Sequence, residues 1–520
     1  MFFFSIANNR NRIGYICHID MGIVQKDGVR TMIISYFGMV LGYLNKGLLF
    51  ILILSIEEIG LISILVSVGM LFAQFSNLGV TYSIWRFFPF FKNQKSRHNG
   101  FLPLVLLVVF SGFIVCTTLA LVFRDVIELQ YASKSQLFLD YYIWFIPIGI
   151  AMGLYFVFDV YLRSLYKTTV SVFALDIVLR LLLTILLILL FLDLISFHAF
   201  LVAHSLTFVV PAIILLIYLY RLGELNLSIS TIRVSKRFRK ILIQYSMFNF
   251  VNSLGAHIVN SLDILMIAQF YGLGPTGVYA TTVFLTSVLQ VPYRSIVRVS
   301  SPLISDYWKH REIDKMRELY VKVSSIGLLT GLSMFVLIWL NIDLLFSFLK
   351  PSFSSGIWVF FFLMIGRMLD MFFGLNGAIF STSKKYKYDI IFTISLIFIV
   401  YFLNLLLLPW WGIAGAAIST AIALMVYNVG RVLFVWRVFN IHPFERNQFI
   451  IIGIGVATLL IGSIVGDLFD NKWLQMTLDC FLFFVAFAIP IYVFRLEPES
   501  INYTKKLIGL VAHKLFKIKG

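Results

Sequence analysis

The stretch FLPLVLLVVFSGFIVCTTLALVF, residues 101–123, carries no charged side chain at any of its positions. A helix needs about 20 mostly apolar residues to cross the hydrocarbon core of a bilayer. Inside lipid, every backbone N–H and C=O group must be paired within the segment, so a run of this kind has to be helical. Residues 101–123 are therefore predicted to form a membrane-spanning helix.

Apolar segments of similar length fill the rest of the chain almost end to end. Of its 520 residues, 60% are hydrophobic and 13% are charged, whereas soluble domains have about 25% charged residues. The sequence predicts an all-α integral membrane protein with about 14 transmembrane helices. The predicted spans are 31–54, 60–83, 101–123, 139–165, 170–192, 197–220, 241–270, 276–303, 320–341, 354–381, 389–409, 413–436, 448–466 and 473–494.

The basic residues behind the formal net charge of +17 are distributed according to the predicted topology. The charge therefore does not indicate a nucleic-acid-binding surface. When the N-terminus is placed in the cytoplasm, most Lys and Arg residues fall in cytoplasmic loops and tails. Those that fall outside are Arg124, Lys134, Lys350 and Lys472. This bias is the positive-inside rule. It predicts a multi-pass protein of the bacterial cytoplasmic (inner) membrane with both termini in the cytoplasm.

Cysteine usage and short motifs give no sign of a cofactor or of catalysis. Cys17, Cys116 and Cys480 are far apart and lack the spacing of metal ligands. The sequence also has no nucleophile motif and no phosphate-binding glycine loop. We therefore expect no cofactor, no metal site and no enzymatic activity.

The first six predicted helices match the next six when the chain is shifted by about 217 residues. Under this shift Gly38 falls on Gly255, and Gly60 falls on Gly277. Six helices in each repeat give both repeats the same orientation. We therefore expect two parallel six-helix lobes related by an axis along the membrane normal, followed by a C-terminal helix pair.

The repeat and the charge distribution together predict the domain limits. Basic segments between and after the lobes are interpreted either as loops that set the topology or as segments that lie on anionic membrane lipids. Residues 1–20 are interpreted as an extension upstream of a more typical start at Met21. The predicted parts are a cytoplasmic tail (1–30), an N-terminal lobe (31–220), a basic linker (221–240), a C-terminal lobe (241–440), helix pair 13–14 (441–495) and a basic cytoplasmic tail (496–520).

Ionisable side chains inside the predicted helices are the candidates for a transport site. A charge at the centre of a membrane helix costs roughly 2.5–3.5 kcal/mol, so such residues usually have a function. Three residues nearer the cytoplasmic ends, Arg86, Asp159 and Arg431, are predicted to form a cytoplasmic gate or entry. The residues predicted to line the substrate or translocation cavity are Lys46, Arg180, Asp263, Arg294, Arg298, Arg367 and Asp370.

Two pairs of these charges can neutralise themselves on one helix. Asp176 lies four residues before Arg180, and Arg367 lies three residues before Asp370. Residues three or four apart face the same side of a helix. Each pair is therefore interpreted either as structural or as part of the cavity.

The remaining charges are harder to neutralise locally. Lys46 and Asp263 coincide under the 217-residue shift, so they either face each other across the lobes or pair within their own lobes. Arg294 and Arg298 share one helix face and have no acidic neighbour one turn away. Two such guanidinium groups suit an anionic ligand, because their planar forks match phosphate oxygens.

Three stretches of the sequence carry motifs of a known family. Residues 57–89, EEIGLISILVSVGMLFAQFSNLGVTYSIWRFFP, resemble the E-x-G-L, L-G and R-F pattern in the second helix of polysaccharide flippases. Residues 274–305 begin with a similar G-x-Y-A pattern, and residues 409–428, PWWGIAGAAISTAIALMVYN, contain a G-I-x-G-A-A-x-x-T helix start. Each motif alone is weak, but their order and spacing over roughly residues 22–440 are fairly specific.

This resemblance implies the Wzx-type branch of the multidrug/oligosaccharidyl-lipid/polysaccharide (MOP) exporter superfamily. Such proteins flip polyprenyl-diphosphate-linked oligosaccharides, the repeat units of O-antigen, capsule or exopolysaccharide, from the inner to the outer leaflet by alternating access. The implied partner is an undecaprenyl diphosphate glycan, with a loosely associated glycan polymerase, and we expect a monomer. The family often has twelve helices, so fourteen is a departure that resembles the lipid II flippases instead.

Three other functions are weighed against this prediction. A lipid II-type flippase would share the diphosphate and differ in the glycan. A multidrug or cation antiporter should have a net acidic site, whereas the deep charges here lean basic. A glycan polymerase or ligase typically carries a large outer loop, and the longest predicted outer loop is only residues 124–138.

Overall fold

The structure, a computed structural model, describes residues 21–91, 98, 100–165, 167–228, 235–466 and 472–497. It contains helices and no strand within these ranges. Cys17, the residues upstream of Met21, the middle of the predicted linker and most of the predicted C-terminal tail lie outside the described residues. The all-α fold class predicted from the sequence is confirmed.

The first half of the chain forms twelve α-helices in the described ranges. In chain order they are α1 (Met21–Gly42), α2 (Phe50–Ile53), α3 (Ile56–Asn77), α4 (Val80–Phe91), α5 (Phe101–Val122), α6 (Arg124–Tyr131), α7 (Gln136–Tyr141), α8 (Phe145–Ser164), α9 (Thr169–Phe173), α10 (Leu179–Phe191), α11 (Phe197–Thr207) and α12 (Val209–Arg221).

The second half continues the same pattern with longer helices. They are α13 (Lys236–Tyr271), α14 (Leu273–Thr286), α15 (Val291–His310), α16 (Ile313–Leu340), α17 (Ile342–Ser347), α18 (Ile357–Phe372), α19 (Asn376–Thr382), α20 (Asp389–Phe439), α21 (Arg446–Gly466), α22 (Lys472–Leu482) and α23 (Ile489–Val493). Shorter turns join some of them: π-helical Tyr43–Leu49, Ala174–Val178 and Phe483–Ala488, and 3₁₀ Tyr142–Trp144, Ser287–Gln290, Pro351–Gly356 and Tyr386–Tyr388.

Eleven helical stretches in the described part of the chain are long and apolar enough to cross a membrane. One of them, Tyr386–Phe439, covers two predicted spans, which meet where Gly412 breaks the helix with φ 58° and ψ −144°. Helix α13 and the pair α14–α15 are also helical where spans were predicted, but they are not among the eleven. Charged residues such as Asp263 and Arg294 make them more polar, as is typical of membrane helices that face a protein interior. The count of fourteen stays a prediction.

The chain folds into two compact units. The first unit contains residues 21–53, Leu65–Leu129 and Leu139–His257, and the second contains Leu54–Ile64, Gln130–Phe138 and the residues from Ile258 onward. Two short segments of the first repeat therefore pack with the second unit. The domain limits proposed from the sequence stay a prediction.

Within the second unit, α3 crosses α14 at two glycines. A Cβ atom at Gly60 would collide with the backbone oxygen of Leu273, and a Cβ atom at Gly277 would collide with that of Ile56. Only residues without a side chain allow two helix backbones to approach so closely. The contact is reciprocal under the 217-residue shift, because Ile56 corresponds to Leu273 and Gly60 to Gly277. Such reciprocity is what an axis of two-fold rotation produces.

A second pair of contacts nearly repeats this reciprocity. Lys350 Nζ donates to the Leu54 backbone oxygen at 2.9 Å. On the other side, Gly272 packs against the backbone oxygen of Lys134. When the first repeat is shifted by 217 residues, Leu54 falls one residue from Gly272, and Lys134 falls one residue from Lys350. The second unit therefore joins matching segments of the two repeats.

Candidate functional site

In the first unit, the predicted pair Asp176–Arg180 is confirmed and joins two helices. Asp176 lies in the π-helical turn before α10, and its Oδ1 is 3.2 Å from Arg180 Nη2. Ser35 of α1 donates to the other carboxylate oxygen at 3.1 Å. Arg180 Nη1 also donates to the backbone oxygen of Gly38. The pair therefore fixes α1 against α10 as well as neutralising its own charge.

Lys46 lies next to this contact, in the π-helical turn Tyr43–Leu49. Its neighbour Asn45 is buried, donates from Nδ2 to the Arg180 backbone oxygen at 2.8 Å, and accepts from Thr184 Oγ1 at 2.8 Å. The Lys46 side chain is exposed. A short π-helical turn inside a helix is frequently found at a functional site. Asn45 and Thr184 were not singled out in the sequence, although a buried asparagine between leucines is itself a sign of a polar contact.

In the second unit, Asp263 is the centre of a buried polar cluster. Its carboxylate accepts hydrogen bonds from Tyr279 Oη at 2.5 Å, Asn404 Nδ2 at 2.7 Å and Thr420 Oγ1 at 2.7 Å. Asn404 and Thr420 lie on opposite sides of the Gly412 break in α20, so the break brings two parts of one helix to the same carboxylate. The sequence predicted Asp263 and missed its three donors.

The Asp263 cluster also contains the type of oxygen ligand that hard cations prefer. Asn404 Oδ1 is buried and accepts no hydrogen bond from the described residues. The described residues contain no group of three or more His, Cys, Asp or Glu side chains that could hold a metal. Any cation here would depend on one carboxylate together with neutral oxygens.

Arg294, Arg367 and Asp370, all predicted for the cavity, meet at a residue that was not predicted. The Oε1 atom of Gln290 accepts from Arg294 Nη2 and from Arg367 Nη1, each at 3.0 Å. Its Nε2 atom lies 3.4 Å from Asp370 Oδ2, to which it donates. Arg367 also donates to the Val283 backbone oxygen at 3.0 Å. The amide of Gln290 thus links Arg367 to Asp370, so a third side chain bridges the two predicted residues.

The carboxylate of Asp370 is held in turn by a buried asparagine. Asn428 Nδ2 donates to Asp370 Oδ1 at 3.1 Å, and Asn376 Nδ2 donates to Asn428 Oδ1 at 2.8 Å. Both asparagines are almost completely buried. Four helices, α15, α18, α19 and α20, are therefore connected by one chain of side-chain hydrogen bonds that begins at Gln290.

Arg298 lies one turn beyond Arg294 on α15, and both side chains are exposed. Arg298 forms no hydrogen bond or ion pair with any residue that the structure describes. Charged side chains on membrane helices face a protein interior or water rather than lipid. This face of α15 therefore presents two guanidinium groups, one held by Gln290 and one unpaired among the described residues.

The three residues predicted for a cytoplasmic entry each contact a neighbour. The Arg86 guanidinium lies over the Tyr245 ring, 4.5 Å from its centroid, within the first unit. The other two are in ion pairs with residues that were not predicted: Asp159 with Arg163, one turn later on α8, and Arg431 with Asp389. Their role at an entry stays a prediction.

Comparison with known proteins was made by family model, by sequence and by structure. The family model described as "Polysaccharide biosynthesis protein" matches residues 25–308, which is more than half of the chain. The chain is 24% identical over 288 residues to an uncharacterised membrane protein of Methanocaldococcus jannaschii. That match covers 53% of this chain and 55% of the relative, so the chain spans about half the length of this curated relative.

Two solved structures that resemble this chain are a lipid II flippase and a multidrug transporter. The lipid II flippase MurJ, in an inward closed conformation, matches with a TM-score of 0.69 and 12% identity, over 90% of this chain and 99% of MurJ. An inward-facing multidrug resistance MATE transporter of the MOP superfamily matches with a TM-score of 0.63 and 14% identity, over 79% and 98%. At these identities the likeness shows the fold and not the substrate.

Proposed function

The chain belongs to the family of polysaccharide biosynthesis proteins, and from this premise we propose that it is a flippase for a lipid-linked oligosaccharide. The proposed substrate is a polyprenyl diphosphate that carries a glycan repeat unit. The protein would move this substrate from the inner to the outer leaflet of the cytoplasmic membrane by alternating access. Both termini are proposed to lie in the cytoplasm, on the basis of the positive-inside rule.

The observation that carries this proposal is the exposed, basic face of α15. Arg294 and Arg298 are exposed on one face of a helix in a membrane protein. A half-buried third guanidinium, that of Arg367, lies against the same Gln290 side chain as Arg294. Guanidinium groups match the oxygens of phosphate with paired hydrogen bonds. A diphosphate head group is the part of the substrate that such a face would recognise.

The proposed direction of transport is favourable for an anion. With the cytoplasm at negative potential, outward movement of one negative charge gains about 2.3 kcal/mol per 100 mV. A multidrug or cation antiporter should instead present acidic groups to its cargo. Arg294 and Arg298, the two exposed charges in the first half of α15, are both basic, so they favour an anionic cargo over a cationic one.

The proposal is tested by removing Arg294. The variant Arg294→Ala should abolish export in cells that have the cognate glycan pathway and lack the chromosomal copy of this protein. Export is measured as the ratio of surface polysaccharide to lipid-linked repeat unit that accumulates inside. Arg294→Lys should recover only part of the export, because lysine keeps the charge and loses the fork.

The matched control is Arg437→Ala, which removes an exposed arginine near the end of α20. It should export at the wild-type rate. Wild-type export by Arg294→Ala, at equal protein level in the membrane, would contradict the proposal. Rescue of cells depleted of their lipid II flippase would instead indicate that the glycan is that of lipid II.

A further inference from the structure

Gln290 occupies an unusual position between two cationic groups. It is the last residue of the 3₁₀ turn Ser287–Gln290, directly before α15 begins. One side-chain oxygen accepts from Arg294 of α15 and from Arg367 of α18, at 3.0 Å in each case. The two guanidinium nitrogens therefore lie within twice that distance of one another. Like charges at this separation repel, so a specific group must hold them together.

The chemistry of an amide is suited to holding the two arginines without cancelling their charge. A carboxylate at the same place would form stronger, charge-assisted bonds and would neutralise one guanidinium. A neutral oxygen accepts two hydrogen bonds and leaves the positive field in place. The Arg294 guanidinium also remains exposed on the α15 face, where a ligand can reach it.

The orientation of the Gln290 amide is fixed from its other end. Its Nε2 atom donates to Asp370 Oδ2 at 3.4 Å, and Asn428 donates to the other oxygen of that carboxylate at 3.1 Å. An ionised carboxylate accepts hydrogen bonds and donates none, so Asp370 Oδ2 faces the amide nitrogen of Gln290 and not its oxygen. The oxygen must then point toward the arginines.

From this geometry we propose that Gln290 is a positioning residue that holds Arg294 and Arg367 together as one clamp for a diphosphate. This proposal rests on the proposed function and names how its anion is held. Each phosphoryl group of the ligand takes one guanidinium. Arg294, the exposed member, exchanges the Gln290 oxygen for a phosphate oxygen, while Arg367 stays anchored by the Val283 backbone oxygen.

Binding of a soluble probe tests the clamp separately from export. The full-length protein is purified in detergent, and inorganic diphosphate and farnesyl diphosphate are titrated by calorimetry. Gln290→Met has nearly the same length and no hydrogen-bonding amide, and it should weaken binding of both probes about tenfold, which corresponds to about 1.4 kcal/mol. Gln290→Glu should weaken binding at least as much, because its carboxylate neutralises one of the two guanidinium charges.

The matched control is Gln475→Met on α22, where the glutamine is half-buried and far along the chain from the clamp. It should bind both probes as the wild type does. The decisive measurement is the binding of both probes by the double variant Gln290→Met with Arg294→Ala. If Gln290 acts through Arg294, adding Gln290→Met to Arg294→Ala should weaken binding by less than twofold. A purely structural role would instead give independent, additive losses.

Several results overturn the clamp. These are the absence of diphosphate binding by the wild type, binding by both Gln290 variants within twofold of the wild type, and additive losses in the double variant. If Gln290→Met does not fold, the same limits apply to Gln290→Glu, whose unfolding temperature is compared with that of the wild type. Normal export by Arg294→Ala, with the binding results as expected, would reject the transport function and leave the clamp in place. A failure of the clamp can therefore be distinguished from a failure of the proposed transport function.

Discussion

The two repeats agree at their glycines and differ at their charges. Gly60 and Gly277 are related by the 217-residue shift, and each packs against the backbone of the other's helix. Lys46 and Asp263 are related by the same shift, yet one is an exposed cation in a π-helical turn and the other is a buried carboxylate with three donors. The backbone contact is repeated and the charge environment is not.

This difference separates what a repeated fold requires from what a transport site requires. A close helix crossing depends on backbone shape alone, so both repeats need the same residue there. The polar side chains of one repeat need not be copied in the other. The basic α15 face and the Gln290 contacts both belong to the second repeat.

The largest effect is expected at the glycine crossing. Gly60→Ala and Gly277→Ala should each lower the free energy of unfolding by about 3 kcal/mol, the upper end for overpacking. The obstructing atoms are backbone oxygens, which cannot move aside as a flexible side chain can. The measurement is thermal unfolding of the purified protein in detergent.

The control for this pair is Gly453→Ala on α21, where a Cβ atom would meet nothing within 4 Å. Alanine is the better helix former, so this variant should unfold at the wild-type temperature or slightly above it. Equal losses at Gly60 and Gly277 would support the two-fold relation. A loss at one glycine and none at the other would show that the crossing is not equivalent in the two repeats.

How much could be predicted from the sequence depends on how far apart the interacting residues are in the chain. Asp176 and Arg180 are four residues apart, and helical periodicity was enough to pair them. The break at Gly412 was also predictable, because Pro409 and Gly412 interrupt the apolar pattern between two spans. The fold class followed from hydropathy, since the need to pair every backbone group leaves few alternatives in lipid.

The partners of the candidate site could not be predicted in the same way. Gln290 contacts Arg367 and Asp370 across 77 and 80 residues, and Asp263 contacts Asn404 across 141. A glutamine in a short 3₁₀ turn has no periodic signature. Only the packing of the 3₁₀ turn Ser287–Gln290 against α18 reveals that one amide serves two arginines.

The next largest effect on stability is expected at Asp263, and Lys46 serves as its comparison. Asp263→Ala leaves the buried donors of Tyr279 and Asn404 and the half-buried hydroxyl of Thr420 without their acceptor. Hydrogen bonds between membrane helices are worth about 0.6 kcal/mol each on average, so we expect a loss of about 2 kcal/mol in stability. Lys46→Ala removes an exposed side chain and should change the unfolding temperature little. Both variants are compared by thermal unfolding in one detergent.

The control for Asp263 is Asp263→Asn, which keeps one acceptor oxygen and should lose less stability than Asp263→Ala. Export by the same variants adds a second comparison. Lys46→Ala should impair export in spite of its normal stability if Lys46 lines the cavity. Wild-type export by Lys46→Ala would remove Lys46 from the proposed cavity. Equal unfolding temperatures for Asp263→Ala and the wild type would show that the three hydrogen bonds contribute little.

The smallest effect is expected from exchanging the two charges. If Lys46 and Asp263 faced each other across the lobes, Lys46→Asp combined with Asp263→Lys should recover export that Asp263→Lys alone has lost. The three donors around Asp263 argue for pairing within its own repeat, because Tyr279, Asn404 and Thr420 already donate to its carboxylate. We therefore expect the exchange to export no better than Asp263→Lys alone. Recovery to half of the wild-type rate or more, at equal protein level in the membrane, would instead establish the cross-lobe pair. In that case the opposite charges of Lys46 and Asp263 would complement each other across the two repeats.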